Sequence, residues 1–598
     1  MAVAGVALAA ASCTDFSDYN KEVPADNIAA DNTLWQNISA NSELSNFAQV
    51  LKRVGYDQKL DASRTYTVWA PKNGTFDMDS LSNVTDDRVI SEFVENHVAD
   101  FSHKETDAND TVVYMLNGKL HGFTNKGTAN MSFDNIPMER NAAAGVYNYP
   151  STNGMLYVLN GQSPFRANGY EFITDLKGTA DSLYNYVKDY EVRTLDLNKS
   201  VKGQIIDGVQ HYDDSVIVVS NSLIANRLRA KLESEDSTYT VLIPSDEVWK
   251  NTYDKIKSLY KYKNKFNYQS LEASDVATVA GGTNGRNPRV LAATKGSTAY
   301  TLTSPYGDPA SYWADSIAKL YLTNYLFYSN NVKYNKKLAN NEVGNDSIYS
   351  TTRSFQTNVQ DIYDATERTV QLSNGTARIL KEYPFRPYRS YAPNIQVGYP
   401  DRLYPTTYKT SRLNTNYKDY RIILNDYRFY LTNVSYYKTN VTQGSTQPPE
   451  LDYYIPNVLS TSYDVYMVVV DNTAEGGEFL PYSLRVDMNY TKADGTQVAG
   501  RFNGETLVTG SSQVSRVKAF VTEEDTEKHD PVHVIKLGTV DFDMCYAGLS
   551  SNSASVAPNI KVMHTVDLFN NSYKYDKELR ISRIILIPHT ESNTTNEE

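Results

Sequence analysis

Residues 66–73 of the chain read YTVWAPKN, and residues 239–246 read YTVLIPSD. Each stretch is a run rich in β-branched and aromatic residues that a proline ends, which is typical of a β-strand. Two positions after the proline stands Asn73 or Asp246, and either side chain can cap the start of a helix. The repeated pattern therefore predicts a strand, a turn and a helix at both places.

Two further pairs of segments recur in the same order. Residues 93–98 match residues 321–326, and both predict a helix end that leads into a strand. Residues 153–160 and 374–381 each begin with Asn-Gly, which is a hairpin signal because both residues tolerate positive φ. Three matches in one order indicate an internal duplication. The wider spacing in the second copy places an insertion near residues 255–312.

These segments resemble the two signature strands of the fasciclin domain. The first strand keeps the family pattern with Trp69 in place of Phe, whereas Tyr157 and Arg378 stand where the second family strand often has His. The resemblance covers residues 31–176 as domain 1 and residues 178–386 as domain 2. It implies two α+β modules, each a twisted β-wedge with a helical layer, that serve adhesion or ligand presentation. It also implies that the modules share no catalytic residues.

The C-terminal third has a different pattern. Prolines recur among Tyr and Arg residues in 387–410, which predicts an extended linker. Residues 411–589 contain strand-like segments between turns and no long helix, which predicts an antiparallel β-sandwich with a jelly-roll or an immunoglobulin-like strand order. Residues 463–470 and 578–588 resemble strands of carbohydrate-binding-module-like sandwiches on bacterial surface lipoproteins. Residues 590–598 are a predicted tail.

The first residues predict export and a lipid anchor. Residues 1–12 form an apolar run that is far too short to span a bilayer and are interpreted as a signal peptide, although no basic residue precedes Lys21. The small residues before Cys13 resemble a bacterial lipobox, which implies lipid attachment at Cys13 and a flexible tether over residues 13–30. The alternative is a buried structural cysteine. Acidic residues after Cys13 resemble the surface-export signal of Bacteroidota-type lipoproteins, which implies a lipid-anchored protein on the cell outer membrane that faces the exterior.

Composition argues against several classes of protein. The chain has 598 residues and a net charge of −12, so binding of nucleic acid through a broad basic surface is not expected. Two cysteines are too few for a disulfide framework, and Cys545 is interpreted as a buried small hydrophobe. The 47 tyrosines are an unusual excess. We assign them mainly to half-buried sheet positions and in part to contact surfaces.

No familiar motif for nucleophilic, metal or phosphate chemistry occurs in the sequence. His529 and His533 are four positions apart, but Pro531 breaks the helix that would bring them together. Oxygens of Asp471, Asn472, Glu475 and Glu478 could ligate Ca²⁺, although a solvated acidic turn is the preferred interpretation. The segment 253–266, rich in Lys and Tyr, fits either a contact strip for an acidic partner or, by preference, a solvated helix with an inward apolar face. We predict no catalytic residue, no metal site and no cofactor, and the ligand-binding residues stay unidentified.

Together these features predict a non-enzymatic outer-membrane surface lipoprotein. The leading hypothesis is an accessory subunit that binds or scaffolds within a SusC/SusD-type, TonB-dependent uptake complex for glycan or peptide. Its partners would be the transporter, other surface lipoproteins and the glycan or peptide itself. The alternative is a cell-surface adhesin for host or neighbouring-cell ligands. A glycan hydrolase with its acids in the C-terminal sandwich ranks third.

Overall fold

A computed structural model describes most of the chain. The described residues are 30–106, 110–141, 145–198, 200–214, 217–263, 309–344, 347–353, 355–356, 359–398, 410–413, 420–424, 427–431, 434, 436–439, 450–510, 531–549, 556–564 and 575–590. The predicted features that lie outside them are the signal peptide, the lipid-attachment residue Cys13, the tether up to residue 29, the insertion residues 264–308 and the tail from residue 591.

The chain divides into two compact units. Unit 1 comprises Met1–Phe172, Glu233–Ser237 and Gln371–Asn374, and unit 2 comprises Ile173–Leu232, Thr238–Val370 and Gly375–Glu598. Each unit has its own sheets and is described separately below. Among the described residues, no helix is long and apolar enough to cross a membrane.

Unit 1 combines short helices with one eight-stranded sheet. Its helical segments are Leu34–Ala40, Ser42–Leu44 (3₁₀), Ser45–Arg53, Tyr56–Asp61, Met78–Ser82, Asp86–Arg88 and Val89–Val94 (π), and a further helix, Gly169–Thr174, spans the division between the units. In sheet order, the strands are Val98–Asp100, Tyr66–Pro71, Gly154–Leu159, Ile136–Glu139, Ser132–Phe133, Leu120–Thr124 and Thr111–Tyr114, and Asn148–Ser151 also pairs with Gly154–Leu159.

The strand Tyr66–Pro71 lies between Val98–Asp100 and Gly154–Leu159 in the sheet of unit 1, and all six of its residues are buried. Val68 belongs to a core cluster that it shares with the helices, whereas Trp69 belongs to a second cluster on the opposite face. Trp69 stacks on Phe133 with ring centroids 4.3 Å apart. A side chain of this size contributes on the order of 2–3 kcal/mol when fully buried. Burial on both faces explains why polar and apolar residues do not alternate along the strand.

Unit 2 contains further helices and several smaller sheets. Its helical segments are Asp181–Lys188, Leu223–Arg227 (π), Asp246–Leu259, Pro309–Thr323, Lys333–Asn335 (3₁₀), Lys336–Asn340, Val359–Ala365, Pro387–Arg389 (3₁₀) and Asn472–Glu475 (3₁₀). Its strands before residue 390 are Glu191–Leu195, Val201–Ile206, Val209–Asp214, Ile217–Asn221, Tyr239–Pro244, Phe327–Ser329, Ile348–Tyr349, Phe355–Gln356, Thr366–Leu372 and Gly375–Leu380.

The two repeated sequence segments make the same strand pairs. Tyr66–Pro71 runs parallel to Gly154–Leu159, with Tyr66 opposite Gly154, and we call these strands the first parallel pair. Tyr239–Pro244 runs parallel to Gly375–Leu380, with Tyr239 opposite Gly375, and these strands form the second parallel pair. In both cases an antiparallel strand follows on the other edge, from the segment predicted as a helix end leading into a strand.

The C-terminal part of unit 2 consists of antiparallel strands. One sheet has the order Thr410–Leu413, Tyr436–Thr439, Arg580–Pro588, Ser462–Val470 and Val532–Asp541, and Ile395–Gly398 pairs with Arg580–Pro588. The other sheet has the order Glu450–Tyr454, Asn559–His564, Leu484–Thr491, Gln497–Phe502 and Leu507–Thr509, and Tyr420–Leu424 pairs with Tyr427–Leu431 in a separate hairpin. Part of the segment predicted as a linker, Ile395–Gly398, is therefore a strand of the first sheet.

Candidate functional site

A buried polar cluster in unit 1 holds two of the histidines. His97 Nδ1 donates to the Phe93 carbonyl oxygen at 2.7 Å, and its Nε2 accepts from the Ser163 amide at 3.1 Å. His121 Nε2 contacts the Asn96 side-chain oxygen at 2.9 Å. The Ser163 hydroxyl donates to a carboxylate, Asp134, at 2.9 Å and not to a histidine. The Ser163 hydroxyl therefore lacks the contact with an imidazole that activates a serine nucleophile, and the cluster serves to satisfy buried polar groups.

Acid is expected to destabilise unit 1 through His97. Burial lowers the pKa of His97 from 6.5 to about 4, so the unfolded chain takes up a proton at a higher pH than the folded one. Stability is therefore unaffected above pH 6.5 and falls as pH drops towards 4, by roughly 3 kcal/mol in total. Hydrogen exchange of the strand Tyr66–Pro71 at pH 7 and pH 4.5 would measure this loss.

A variant at an exposed histidine is the control for that experiment. His97→Gln keeps one donor and one acceptor near Phe93 and Ser163, so it is expected to flatten the pH dependence. His211→Gln changes a residue exposed on unit 2 and should leave the dependence in unit 1 intact. An unchanged pH profile in His97→Gln would refute the assignment.

A second buried cluster, in unit 2, surrounds Arg580. Its guanidinium pairs with Asp576, with Glu475 at 2.9 Å and with Glu578 at 2.5 Å. Lys438 lies 2.8 Å from both Glu475 and Glu578. Although burial alone raises the pKa of Glu475, hydrogen bonds from Arg580 and Lys438 lower it to about 2. We call this set the Arg580 cluster.

Acidic residues of the turn considered for calcium are engaged in contacts within the protein. The Glu475 carboxylate belongs to the Arg580 cluster, and Asp471 caps the turn by accepting from the Thr473 amide at 2.8 Å. Asp471 also lies 2.8 Å from Nε2 of His533. In the described part of the chain, no group of three His, Cys, Asp or Glu residues is arranged to hold a metal ion. His529, the other histidine of the predicted pair, lies outside the described residues.

The remaining sequence candidates are buried. The Cys545 thiol is inaccessible, and burial raises its pKa to about 12, which makes it an inert hydrophobe and not a nucleophile. Ile256, Leu259 and Tyr260 of the lysine- and tyrosine-rich segment are buried, as the helical interpretation predicts. Many tyrosines fill the core, including these fully buried ones: Tyr66, Tyr157, Tyr260, Tyr321, Tyr328, Tyr436, Tyr463, Tyr482 and Tyr546.

The most unusual surface in the described structure is a long β-hairpin of unit 2, residues 191–221, which we call the hairpin arm. Its inner ladder pairs Glu191–Leu195 with Ile217–Asn221, and its outer ladder pairs Val201–Ile206 with Val209–Asp214. Asp207 and Gly208 form the turn, both with positive φ, as a tight two-residue hairpin requires.

Large aliphatic side chains cover both faces of the hairpin arm. Eight of them are exposed: Val192, Leu197, Ile205, Ile206, Val209, Ile217, Val218 and Val219. Val218 and Val219 are neighbours on one strand, so their side chains point to opposite faces. Exposed apolar side chains concentrated on one element are typical of protein–protein contact sites, and a two-stranded hairpin is only marginally stable alone.

The hairpin arm was not predicted from the sequence, although a signal for it exists. The dipeptide Asp207-Gly208 stands between Ile206 and Val209, and Asp-Gly flanked by apolar residues is among the strongest hairpin signals. The sequence does not indicate that these residues are exposed, because the same apolar pattern is expected of a buried strand.

Comparison with known proteins identifies one domain. Residues 42–161 match the Fasciclin domain family, and this range includes both strands of the first parallel pair. No curated protein sequence matches the chain. A solved FAS1 domain pair from the insect cell adhesion molecule fasciclin I is similar over 22% of this chain and 51% of its own length, with 13% identity and a TM-score of 0.17. The family match shows that the chain contains an α+β fasciclin domain near its N-terminus. Further sheet-rich regions follow it.

Proposed function

We propose that this protein is a non-enzymatic surface lipoprotein of the outer membrane, anchored through Cys13, that scaffolds a SusC/SusD-type uptake complex for glycan or peptide. The observation that carries the proposal is the hairpin arm, whose exposed aliphatic side chains offer an apolar contact surface. By contrast, the described histidines and carboxylates of the two polar clusters hydrogen-bond to neighbouring protein groups. This division supports binding over catalysis.

We further propose that residues 178–386 form a second fasciclin-like module and that residues 411–589 form a β-sandwich. The equal register of the two parallel pairs supports the first statement, since both place a glycine opposite the first tyrosine. Ring contacts support the β-sandwich. The ring centroid of Phe542 lies 5.8 Å from that of Tyr463 in one sheet and 5.0 Å from that of Tyr490 in the other. The hairpin arm would then belong to the second module.

Charges placed on the hairpin arm are expected to release the partner. In the double variant Ile205→Glu and Val218→Glu, co-purification of the transporter or its binding lipoprotein in mild detergent should fall by about tenfold or more, because burying unpaired carboxylates is costly. Val112→Glu is the matched control, since Val112 is equally aliphatic and exposed but lies in unit 1. It should retain the partner.

Two results would redirect the proposal. If the wild-type lipoprotein brings down neither transporter nor binding lipoprotein, the uptake role fails. The family match favours the adhesin as second candidate, because fasciclin domains often serve adhesion. Lost surface attachment of a deletion strain that grows normally on every complex nutrient would establish that alternative.

A further inference from the structure

Arg378 lies in the second parallel pair, opposite Leu242. In the first parallel pair the corresponding residue is Tyr157, a buried aromatic opposite Trp69. The Arg378 residue is only 5% exposed, so a charged side chain occupies a position that the first copy fills with a neutral ring.

The contacts of Arg378 leave its charge uncompensated. Its Nη2 donates to the side-chain oxygen of Asn341, and its guanidinium carbon lies 4.7 Å from the centre of the Tyr363 ring. Its Nε is buried and has no hydrogen-bond partner. Among the residues that the structure describes, no Asp or Glu forms an ion pair with Arg378. A neutral amide and an aromatic face are therefore the neighbours of a buried cation.

Such an arrangement costs stability. A buried cation without an anion is unfavourable, and apolar replacements of buried charges are often neutral or stabilising. Local features that reduce stability without compensation are expected at functional sites. Burial also lowers the pKa of Arg378, as it does for a cation that lacks a counter-charge.

We propose that the Arg378 guanidinium binds the carboxylate of a ligand, at the place where Asn341 now supplies an amide oxygen. Nε and Nη2 form one planar edge of the guanidinium, and a carboxylate can accept from both at once. Asn341 is exposed, so its side chain can move aside without disturbing the core. Tyr363 fixes the guanidinium plane, since its own hydroxyl is held by the carbonyl oxygens of Lys337 and Glu342, each at 3.1 Å. This site goes beyond the proposed function and does not depend on it.

Acetate is the probe for this site, with chloride as the reference anion at constant ionic strength. Saturation-transfer NMR should show the acetate methyl group bound to the wild-type protein, and acetate should raise the melting temperature by a few degrees, roughly 2–4 °C. Phosphate is the comparison arm: a response to phosphate without one to acetate would overturn the carboxylate assignment.

Two variants separate binding from folding. Arg378→Met removes the cation, so it should melt no lower than the wild type yet lose the acetate signal. Asn341→Asp places a carboxylate of the chain itself beside Arg378 in a left-handed conformation that Asp tolerates, so it should melt higher and also lose the signal. Arg368→Gln, at an exposed arginine on the strand Thr366–Leu372, removes the same charge and should behave like the wild type. Equal acetate binding by the wild type and Arg378→Met, or loss in Arg368→Gln, would refute the proposal.

Discussion

Replacing Gly154 by Ala is expected to unfold the fasciclin domain. Gly154 has φ +151°, and a Cβ placed on it would lie 1.9 Å from the Tyr66 carbonyl oxygen. Neither backbone can move away from the other, because Tyr66 and Gly154 lie opposite each other in the first parallel pair. We expect a loss of about 4 kcal/mol or more, a large share of the total stability of a domain. Urea denaturation followed by circular dichroism, with hydrogen exchange of Tyr66–Pro71, would measure it.

The same substitution at Gly118 is the control. Gly118 has φ +79°, but nothing lies within 4 Å of the point that a Cβ on it would occupy, so Ala should cost only about 1 kcal/mol through backbone strain. If Gly154→Ala is no less stable than Gly118→Ala, the close strand approach is not needed. Gly375 makes the equivalent approach to Tyr239, at 1.9 Å, and Gly375→Ala should unfold the second parallel pair in the same way.

These strands could be predicted from the sequence because their signals are local. A β-branched run ended by Pro71 or Pro244 is visible in the sequence, and both runs are strands with the predicted ends. The family expectation of a fasciclin domain was confirmed for residues 42–161 within the predicted 31–176. The hairpin expected at Asn153 also forms, between Asn148–Ser151 and Gly154–Leu159.

Asn73 and Asp246 do cap helices, but the prediction of which helices they cap was wrong. The Asn73 side-chain oxygen accepts from the Asn46 amide at 2.9 Å, and Asp246 accepts from the Ser182 amide at 2.7 Å. Each therefore caps a helix that lies earlier in the chain, and Asp77 and Ser245 cap the helices that follow the two strands. Capping over a distance depends on tertiary packing, which residue spacing does not reveal. Both repeated segments use it, which is consistent with the proposed second fasciclin-like module.

The two asparagines before the glycines show the same relation. Asn153 accepts from the Leu34 amide at 2.8 Å, and Asn374 accepts from the Gly169 amide at 2.9 Å. Leu34 and Gly169 are the first residues of their helices. A hairpin signal in the sequence is thus also a helix cap in the fold, a second role that only the packed structure reveals.

The sequence match between residues 93–98 and 321–326 differs by one position from the equivalence that the strand register gives. Val68 pairs with Val98, whereas the equivalent Val241 pairs with Phe327. The similarity of Asn96 and Asn324 suggested a different alignment, but strand register is set by backbone hydrogen bonds and not by residue likeness. The burial of Arg378 and the exposure of the hairpin arm could likewise not be predicted from the sequence, because both depend on the fold.

Replacing Arg580 by Met is expected to destabilise unit 2 by about 3–5 kcal/mol at pH 7. The variant would leave Asp576, Glu475 and Glu578 with Lys438 as the one remaining cation of the Arg580 cluster. Asp576 is itself buried, so its charge would lose its partner without gaining water. Urea denaturation of the variant and the wild type at pH 7 would measure the difference.

The pH dependence of that difference tests its electrostatic origin. In the wild type the pKa of Glu475 is lowered to about 2, so its contribution to stability is present above pH 4.5 and is lost as pH falls towards 2. The destabilisation by Arg580→Met should therefore shrink as the carboxylates become protonated. Arg485→Met is the control, because the Arg485 side chain is 41% exposed and its partner Asp487 keeps a second cation, Arg501, at 2.8 Å, so the loss should be at most about 1 kcal/mol. A loss that is equal for both variants, or independent of pH for Arg580→Met, would mean that packing and not charge pairing holds this part of unit 2 together.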